Sequence, residues 1–400
     1  MILKAINYQT IIRFVGNTLF LMFIFILLID PTNNLFHKKD IIFLLLVGFC
    51  FFFHKPDLSK IPHIIALFVS ILIPWTFSVI EMRTIDLDYV FPVFKSIAPS
   101  ILLLWIREFD LLKLSRIPTI WCCLIIDILF LSIIIFPETE SIIYLFVSVD
   151  NETIIMSTRW FLGFKLFCMY LKSTVAMIIP LTYYFFLCVS WKRITWEAFI
   201  ALFIICFYFM LSGTRSTILV PFFLLGLTIY ASYRNHPKVN KYIYPILLIG
   251  GFILCLLIII LASDTQEISN TVKYGHLPSY TKLFEEHPSY LLTGQGPGAF
   301  FYSDGFNKYV MQTEWAYLEL IRCFGICSVL IIGIFIYPLF AFWRNKEDIL
   351  SFSIFGAYSV YLIFAGTNPL LLSSTGMLVL LISYLYSTKL FRFCHNFFAI

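Results

Sequence analysis

Long apolar stretches alternate with short polar segments along the whole chain. A helix needs about 20 predominantly apolar residues to cross the hydrocarbon core of a bilayer. Twelve runs approach that length, and they cover residues 11–29, 41–53, 61–80, 90–106, 117–136, 172–190, 197–212, 216–232, 243–262, 314–342, 349–366 and 369–387. The pattern predicts an all-α integral membrane protein with about twelve transmembrane helices, and residues 1–400 are expected to form a single polytopic membrane domain.

The composition indicates that lipid is the main solvent of this chain. The sequence is 60% hydrophobic and 13% charged, with a mean hydropathy of +0.91, whereas soluble domains carry about 25% charged residues. The net charge of +5 does not indicate a nucleic-acid partner, because the charged residues fall between the apolar runs. The first run lacks a small-residue cleavage pattern, so we expect an uncleaved first span.

The polar segments differ in charge, and Lys and Arg are typical of cytoplasmic loops. Segments after the even-numbered runs are richer in Lys and Arg than in Asp and Glu, whereas segments after the odd-numbered runs carry most of the acidic residues. This alternation predicts that both termini are cytoplasmic. It also predicts that one long loop, residues 263–313 between the ninth and tenth helices, lies on the outer face. Loops of that length are usually functional or disordered, and the aromatic and glycine residues of this one favour order.

The first candidate site is the tight turn Leu211–Thr217, on the predicted outer face. Arg215 lies where the next helix begins, and a cation there opposes the helix dipole. A bound anion would reverse that cost, because the free backbone N–H groups and the guanidinium would both contact it. The small hydroxyl residues Thr214 and Ser216 suit a phosphate. The alternative is an arginine that extends to the lipid headgroups. Arg159, before the sixth helix, is a second candidate anion ligand.

A second candidate is the glycine-rich segment Leu292–Phe300 in the long loop. Gly294, Gly296 and Gly298 alternate there, which allows close backbone approach to a ligand and a nest of N–H groups for an anion. The segment is not a dinucleotide fingerprint, because no strand–turn–helix unit surrounds it, and it lacks the lysine of a P-loop. The alternative is a plain turn that leads the chain back to the membrane.

A third candidate is the segment Gln312–Gly325, where the long loop enters the tenth helix. We expect Glu314 in the first helical turn, where the dipole favours a carboxylate, so a capping role competes with a catalytic one. Glu319 and Arg322 are spaced i, i+3 and are expected to pair on one helix face. Charges inside a membrane indicate either a functional site or a structural pair.

The other polar residues give weaker signals. Two histidines lie in the long loop, His276 and His287, and each is more often a surface or packing residue than a base. Four charged residues lie in or near predicted helices and could line a water-filled cavity: Lys95, Asp127, Lys165 and Lys172. No group of carboxylates or histidines has the spacing of a metal site. We therefore expect neither a metal nor a cofactor.

Three features occur in order along the chain: the Ser212–Ser216 turn, the long loop with its Gly-x-Gly-x-Gly end, and a helix that starts Thr-Glu-Trp-Ala-Tyr-Leu-Glu at 313–319, with Phe324–Gly325 after it. Together with twelve predicted helices, they resemble the O-antigen polymerase and O-antigen ligase superfamily, and most of all a Wzy-type polymerase. The ligases usually have a His where this chain has Thr313–Glu314, which favours the polymerases.

The resemblance implies a metal-independent glycosyltransferase of the bacterial inner (cytoplasmic) membrane, with the long loop in the periplasm. It would polymerise undecaprenyl-pyrophosphate-linked oligosaccharide repeat units into O-antigen or a similar surface polysaccharide. Arg215 matches the family's arginine, and with Arg159 it would stabilise the departing pyrophosphate, while Glu314 would orient or deprotonate the attacking hydroxyl. The expected substrate-binding residues are Thr214, Ser216, Gly294, Gly296, Gly298, His287, Tyr317 and Arg322.

The expected partners follow from the same resemblance. They are the undecaprenyl-pyrophosphate-linked oligosaccharides, the lipid bilayer and, as further proteins, a chain-length regulator and a flippase. Two alternatives stay open: an O-antigen ligase, and a transporter such as a flippase for lipid-linked oligosaccharides. Transporters often contain two similar halves, and the chain has no internal repeat, which favours the enzyme.

Overall fold

A computed structural model gives the fold. It describes residues 8–141, 143, 153–161, 164–189, 195–236, 241–242, 244–246, 249–251, 253, 256 and 268–397, apart from the side chains of 159–161, 164–166, 215–216, 268–269 and 387–397. The α-helices of this part are α1 Tyr8–Ile29, α2 Lys39–Phe53, α3 Ile61–Ile80, α4 Leu87–Ile97, α5 Leu111–Ile135, α6 Ile178–Val189, α7 Trp196–Leu211, α8 Arg215–Tyr233, α9 Ile268–Glu286, α10 Tyr290–Thr293, α11 Ala316–Phe324, α12 Cys327–Arg344, α13 Ile349–Gly366 and α14 Ser374–Phe397. Short 3₁₀ helices cover Leu58–Lys60, Ala98–Glu108 and Thr174–Met177.

In the part of the chain that the structure describes, six helical segments are long and apolar enough to cross a membrane. They are Tyr8–Ile29, Leu58–Ile80, Leu87–Glu108, Leu111–Ile135, Cys327–Arg344 and Ile349–Gly366, and shorter apolar helices cover Thr174–Val189, Trp196–Leu211, Thr217–Tyr233 and Ser374–Tyr386. The expectation of a mainly helical protein is confirmed, and its long apolar helices are compatible with a membrane protein. The count of twelve spans and the orientation stay predictions, and most of the predicted ninth span, 243–262, lies outside the described residues.

Within the described residues, two antiparallel β-hairpins add to the helices, although the sequence pattern predicted helices alone. Strands β1 Ile154–Phe161 and β2 Phe164–Leu171 pair from Ile154↔Leu171 onward. Strands β3 Phe301–Ser303 and β4 Lys308–Val310 form the second hairpin, inside the long loop. The first hairpin is rich in β-branched and aromatic residues, which fit a pleated, half-buried surface. Lys172 therefore follows a strand, and the sixth apolar run becomes helical only from Thr174.

Two predicted helices are broken in the structure. The run 90–106 is α-helical only to Ile97 and continues as a 3₁₀ helix, with a proline at its second position. The run 314–342 is divided into α11 and α12 at Gly325, whose φ of 52° lies in the left-handed region. Glu314 is therefore not in a first helical turn as expected, because α11 begins two residues later, at Ala316.

The core lies among α1, α5, α6, α13 and α14, whose facing side chains exclude both water and lipid. Ile24, Cys123, Tyr184 and Tyr358 are fully buried there. Large apolar side chains on the outside, such as Phe52 at 79% exposure, are consistent with lipid as the solvent, because lipid does not penalise apolar surface. The helices thus form one packed bundle.

The long loop closes over one end of this bundle, which we call the loop end. The backbone N–H of Asp86, before α4, donates to the carbonyl of Gly298 (3.0 Å). Lys273 of α9 donates to the carbonyl of Thr367, after α13 (3.5 Å). Segments that are far apart in sequence therefore meet at the loop end.

Candidate functional site

The glycine-rich segment forms the cap of helix α11. The N–H groups of Gln295 and Gly296 donate to the last carbonyls of that helix, on Arg322 (2.6 Å) and Cys323 (3.0 Å), and the N–H of Gly294 donates to Tyr290 (2.9 Å). The end of a helix leaves unpaired carbonyls that need such donors. These three amides are therefore bound inside the protein and do not form the expected anion nest.

The conformation of the same segment requires glycine. Gly294, Gly296 and Gly298 have φ values of 72°, 95° and 79°, which side chains rarely adopt. A Cβ on Gly294 would lie 2.3 Å from the carbonyl oxygen of Cys323, and one on Gly296 would lie 1.8 Å from Oγ of Ser78. The close backbone approach that the sequence predicts is real, but what comes close in this structure is the protein itself.

Arg322 lies fully buried at the centre of this region. Its guanidinium donates from Nε (3.0 Å) and Nη2 (2.7 Å) to the carboxylate of Glu319, which confirms the predicted i, i+3 pair. The other donors bind Oε1 of Gln295 (2.6 Å) and the carbonyls of Ala299 (3.0 Å) and Met311 (2.5 Å). An arginine has five N–H donors, and all five are used. Arg322, expected to bind substrate, therefore has a structural role here and no spare donor.

The carboxylate of Glu319 is equally well bound. Its Oε1 accepts hydrogen bonds from the hydroxyl of Tyr280 (2.5 Å) and from the backbone N–H of Thr313 (3.0 Å), while its Oε2 binds Arg322. Glu319 is 6% exposed. The network joins α9, the glycine-rich segment, the second hairpin and α11. It fixes the shape of the loop end.

Glu314 forms an ion pair at the surface of the loop. Its carboxylate lies 3.0 Å from Nζ of Lys273, with 38% of the side chain exposed. The next residue, Trp315, donates from its indole to the backbone carbonyl of Lys273 (2.8 Å). These contacts tie the start of α11 to α9. A general base needs an unpaired carboxylate, whereas the carboxylate of Glu314 is paired with the ammonium group of Lys273 in this structure.

Two other expected substrate ligands make contacts within the protein. The hydroxyl of Tyr317 donates to the carbonyl of Leu362 in α13 (2.9 Å), and its ring lies against Gly366, where a Cβ would come within 2.3 Å of it. His287 is exposed, and its ring stacks on Tyr290 with centroids 4.9 Å apart. Tyr317 thus holds two helices together, and His287 is a surface residue.

The turn before α8 packs against the first hairpin. Gly213 has a φ of 60°, and a Cβ there would lie 1.8 Å from Sγ of Cys168 in β2. Thr214 is the N-cap of α8, since its hydroxyl accepts the N–H of Thr217 (3.3 Å). Arg215 begins α8, as predicted. The side chains of three expected ligands, Arg215, Ser216 and Arg159, lie outside the described residues.

A cavity of about 550 Å³ opens at the loop end, within the size range of small-molecule sites. Three lysines line it: Lys39, Lys95 and Lys172. Its other polar lining is Thr32, Asn34, Tyr89, Ser96, Gln312, Glu319, Ser373, Ser374 and Thr375, and its apolar lining includes Pro92, Val93, Leu320, Phe324, Leu370, Leu371 and Leu372. The expectation that charged residues line a cavity is thus confirmed for Lys95 and Lys172. Asp127 is buried in α5 and does not belong to this lining, and the side chain of Lys165 lies outside the described residues.

Lys39 was missed as a site residue by the sequence analysis. It is the first residue of α2 and is only 8% exposed. Its Nζ donates to the carbonyl of Pro31 (2.6 Å) and to Oγ of Ser374 (3.3 Å). Among the described residues Lys39 makes no ion pair with a carboxylate. The signal in the sequence is a lysine two residues before an unusually short apolar run, 41–53.

Comparison of the chain with protein-family models, with curated proteins and with solved structures gives no match.

Proposed function

We propose that this protein polymerises undecaprenyl-pyrophosphate-linked oligosaccharide repeat units into a surface polysaccharide at the periplasmic face of a bacterial inner membrane. One observation supports the proposal most: a cavity with a basic wall and an apolar wall lies beside the spanning helices, under a long ordered loop. A lipid-linked sugar diphosphate needs both kinds of wall, because its head is anionic and its tail is apolar.

The proposed reaction needs no cofactor. An acceptor hydroxyl oxygen attacks the anomeric carbon of the donor, a new glycosidic bond forms, and the bond between that carbon and the pyrophosphate oxygen breaks. The hydroxyl proton leaves to solvent or a base, and undecaprenyl pyrophosphate departs as the anion. Cations at the cavity stabilise that departing charge in a partly dry site. From the resemblance, Arg215 and Arg159 are the proposed arginine ligands. Glu314 is given no part in this step, because its carboxylate pairs with Lys273 and lies outside the cavity lining.

A flippase for lipid-linked oligosaccharides is the second candidate. The break between α11 and α12 favours it, because discontinuous helices form the substrate sites of many transporters. The two functions differ in what a cell lacking the protein makes. Without a polymerase, single repeat units still reach the lipopolysaccharide core, whereas without a flippase none do.

The test is a gel of lipopolysaccharide from a strain in which the gene is deleted. Core carrying one repeat unit supports the polymerase, and bare core supports a flippase or a ligase. Complementation sharpens the test: Val93→Trp fills the cavity, and Val69→Trp, on the exposed face of α3, is the matched control. We expect long chains from wild type and Val69→Trp and single repeats from Val93→Trp. Long chains from Val93→Trp, with the variant protein present in the membrane at the wild-type level, would show that the cavity is not needed for polymerisation.

A further inference from the structure

We propose that the loop-end cavity binds a phosphate ester of an apolar alcohol, with Lys39, Lys95 and Lys172 as its cationic ligands. The proposal rests on the proposed function only for the identity of the alcohol. Its physical basis is the charge, the helix ends and the division of the cavity into a basic wall and an apolar wall.

The cavity lining is cationic. Among the described residues, three lysines and one carboxylate, that of Glu319, face it, and Glu319 is already paired with Arg322 at 2.7 Å. Lys95 forms an ion pair with Asp40, a residue behind the lining. Lys39 has only neutral oxygen atoms as hydrogen-bond acceptors. Asp40 and Asp30, which lie outside the lining, offset the charge of Lys39 only in part, because Asp40 is already paired with Lys95. A positive charge within the lining is therefore left for a ligand to balance.

Three helices begin at the wall of the cavity. The first residues of α2, α11 and α14 are Lys39, Ala316 and Ser374, and all three line the cavity. Each helix start carries a partial positive charge and backbone N–H groups that suit phosphate oxygens. The hydroxyl residues Ser373 and Thr375 lie on the same wall. The helix ends therefore reinforce the charge of the lysines.

The position of Lys39 is unfavourable without an anion. Its ammonium group is largely removed from water, which costs free energy unless a negative charge compensates it. It also lies at the positive end of the α2 dipole, where a cation is disfavoured. A phosphate between Lys39 and the start of α14 removes both costs, because it pairs with the ammonium and accepts from the helix. The burial of the Lys39 ammonium group therefore favours an anionic ligand even apart from the helix dipoles.

The apolar side of the cavity distinguishes an ester from a free phosphate. Leu320 and Phe324 of α11 face it together with Pro92 of α4 and the segment Leu370–Leu372. These apolar side chains do not stabilise an inorganic ion. They would stabilise the first carbons of a lipid chain by about 0.8 kcal/mol of burial free energy for each methylene. The cavity therefore fits a ligand that carries its charge at one end and an alkyl chain at the other.

The experiment measures ligand binding to purified full-length protein in detergent, by native mass spectrometry and thermal shift. The probes are polyprenyl diphosphate, inorganic pyrophosphate and phosphatidylglycerol. The variants are Lys39→Met and Lys172→Gln, and Lys38→Met is the control, since Lys38 is exposed and outside the cavity lining. Lys172→Gln, on a more exposed residue, keeps the test valid if Lys39→Met does not fold.

We expect wild type and Lys38→Met to bind polyprenyl diphosphate equally, and each cavity variant to bind it at least about tenfold more weakly, because a charge-assisted bond is lost. Inorganic pyrophosphate should bind more weakly than the lipid. The proposal would be overturned if both cavity variants bound polyprenyl diphosphate as tightly as wild type does. It would also be overturned if pyrophosphate bound as tightly as the lipid.

The two lipid probes distinguish this site from the proposed function. Preference for polyprenyl diphosphate supports both. Preference for phosphatidylglycerol supports the phosphate-ester site but assigns it to a bilayer lipid, which counts against the polymerase. Bare core in the deletion strain, together with lysine-dependent lipid binding, would refute the polymerase and leave the site standing.

Discussion

Two buried cations at the loop end, Arg322 and Lys39, have opposite surroundings. All five N–H donors of Arg322 form hydrogen bonds inside the protein, two of them to the carboxylate of Glu319. Lys39 has two neutral acceptors and opens on a cavity. Buried charge therefore has two roles at the loop end. The closed, fully hydrogen-bonded network of Arg322 stabilises the conformation of the loop, whereas the incompletely compensated charge of Lys39 is available to attract an anionic ligand.

Two arginines at the opposite end of the bundle resemble Arg322 rather than Lys39 in being paired with carboxylates. Arg107 lies 3.1 Å from the carboxylate of Asp57, and Arg116 lies 3.1 Å from that of Glu197. Arg116 also lies over the ring of Tyr184, at 5.2 Å from its centroid. Such pairing leaves little charge for a ligand. Lys60, at that same end, is also buried but lies over the ring of Tyr384 (5.4 Å) and outside the cavity lining. Lys39 differs from all of these cations in facing a cavity that an anion can enter.

The largest expected effect is on the closed network. Arg322→Met leaves the Glu319 carboxylate buried without its cation, and breaking a buried ion pair in this way costs about 3–5 kcal/mol. We expect a much lower unfolding midpoint in chemical denaturation, or loss of folded protein. The double variant Arg322→Met with Glu319→Gln should recover part of the loss, since no buried charge is then left alone. A single variant as stable as wild type would show that the network is not closed.

The next effect tests the cap on the same network. In Gly296→Ala the new Cβ would lie 1.8 Å from Oγ of Ser78, at a φ of 95°. Overpacking costs about 1–3 kcal/mol and the strained backbone about 1–2 kcal/mol more. The control is Gly48→Ala in α2, where nothing lies within 4 Å of the new Cβ, and its effect should be neutral or stabilising. Equal stabilities of the two variants would mean that the segment moves freely.

Lys39→Met gives the sharpest contrast with Arg322→Met. It removes a buried charge and leaves no carboxylate bonded to the missing group, so the free energy of unfolding should stay within about 1 kcal/mol of wild type. The same variant should fail to make long polysaccharide chains. Denaturation of purified protein and a lipopolysaccharide gel at matched membrane levels measure the two properties. A large loss of stability would put Lys39 in the same structural class as Arg322.

The smallest effect concerns Glu314. Its pair with Lys273 is partly exposed, and such pairs contribute about 0.2–1 kcal/mol. Glu314→Gln should therefore barely change stability. Because the carboxylate lies outside the cavity lining, we also expect chains of wild-type length from this variant. Single repeat units from a stable Glu314→Gln protein would instead support the role of Glu314 in orienting the acceptor.

Local features of the sequence were sufficient for several parts of this structure. Apolar runs of spanning length predicted α1, α3 and α5, because partition into lipid depends on the residues of one segment alone. The spacing of Glu319 and Arg322 predicted their pair, because helix geometry brings i and i+3 together. Alternating glycines predicted a close backbone approach, because they tolerate positive φ.

Tertiary structure alone decided which charges from distant segments face one another. Lys39, Lys95 and Lys172 come from three distant segments, and only helix packing brings them to one cavity. It also decided that amides of the glycine-rich segment donate to the last carbonyls of α11. Those carbonyls are available because the run 314–342 is interrupted at Gly325. Hydropathy is a property of each segment by itself, so it can be calculated from the sequence alone. The partner of a charge or of an amide is set by contacts between segments, and these exist only in the folded chain.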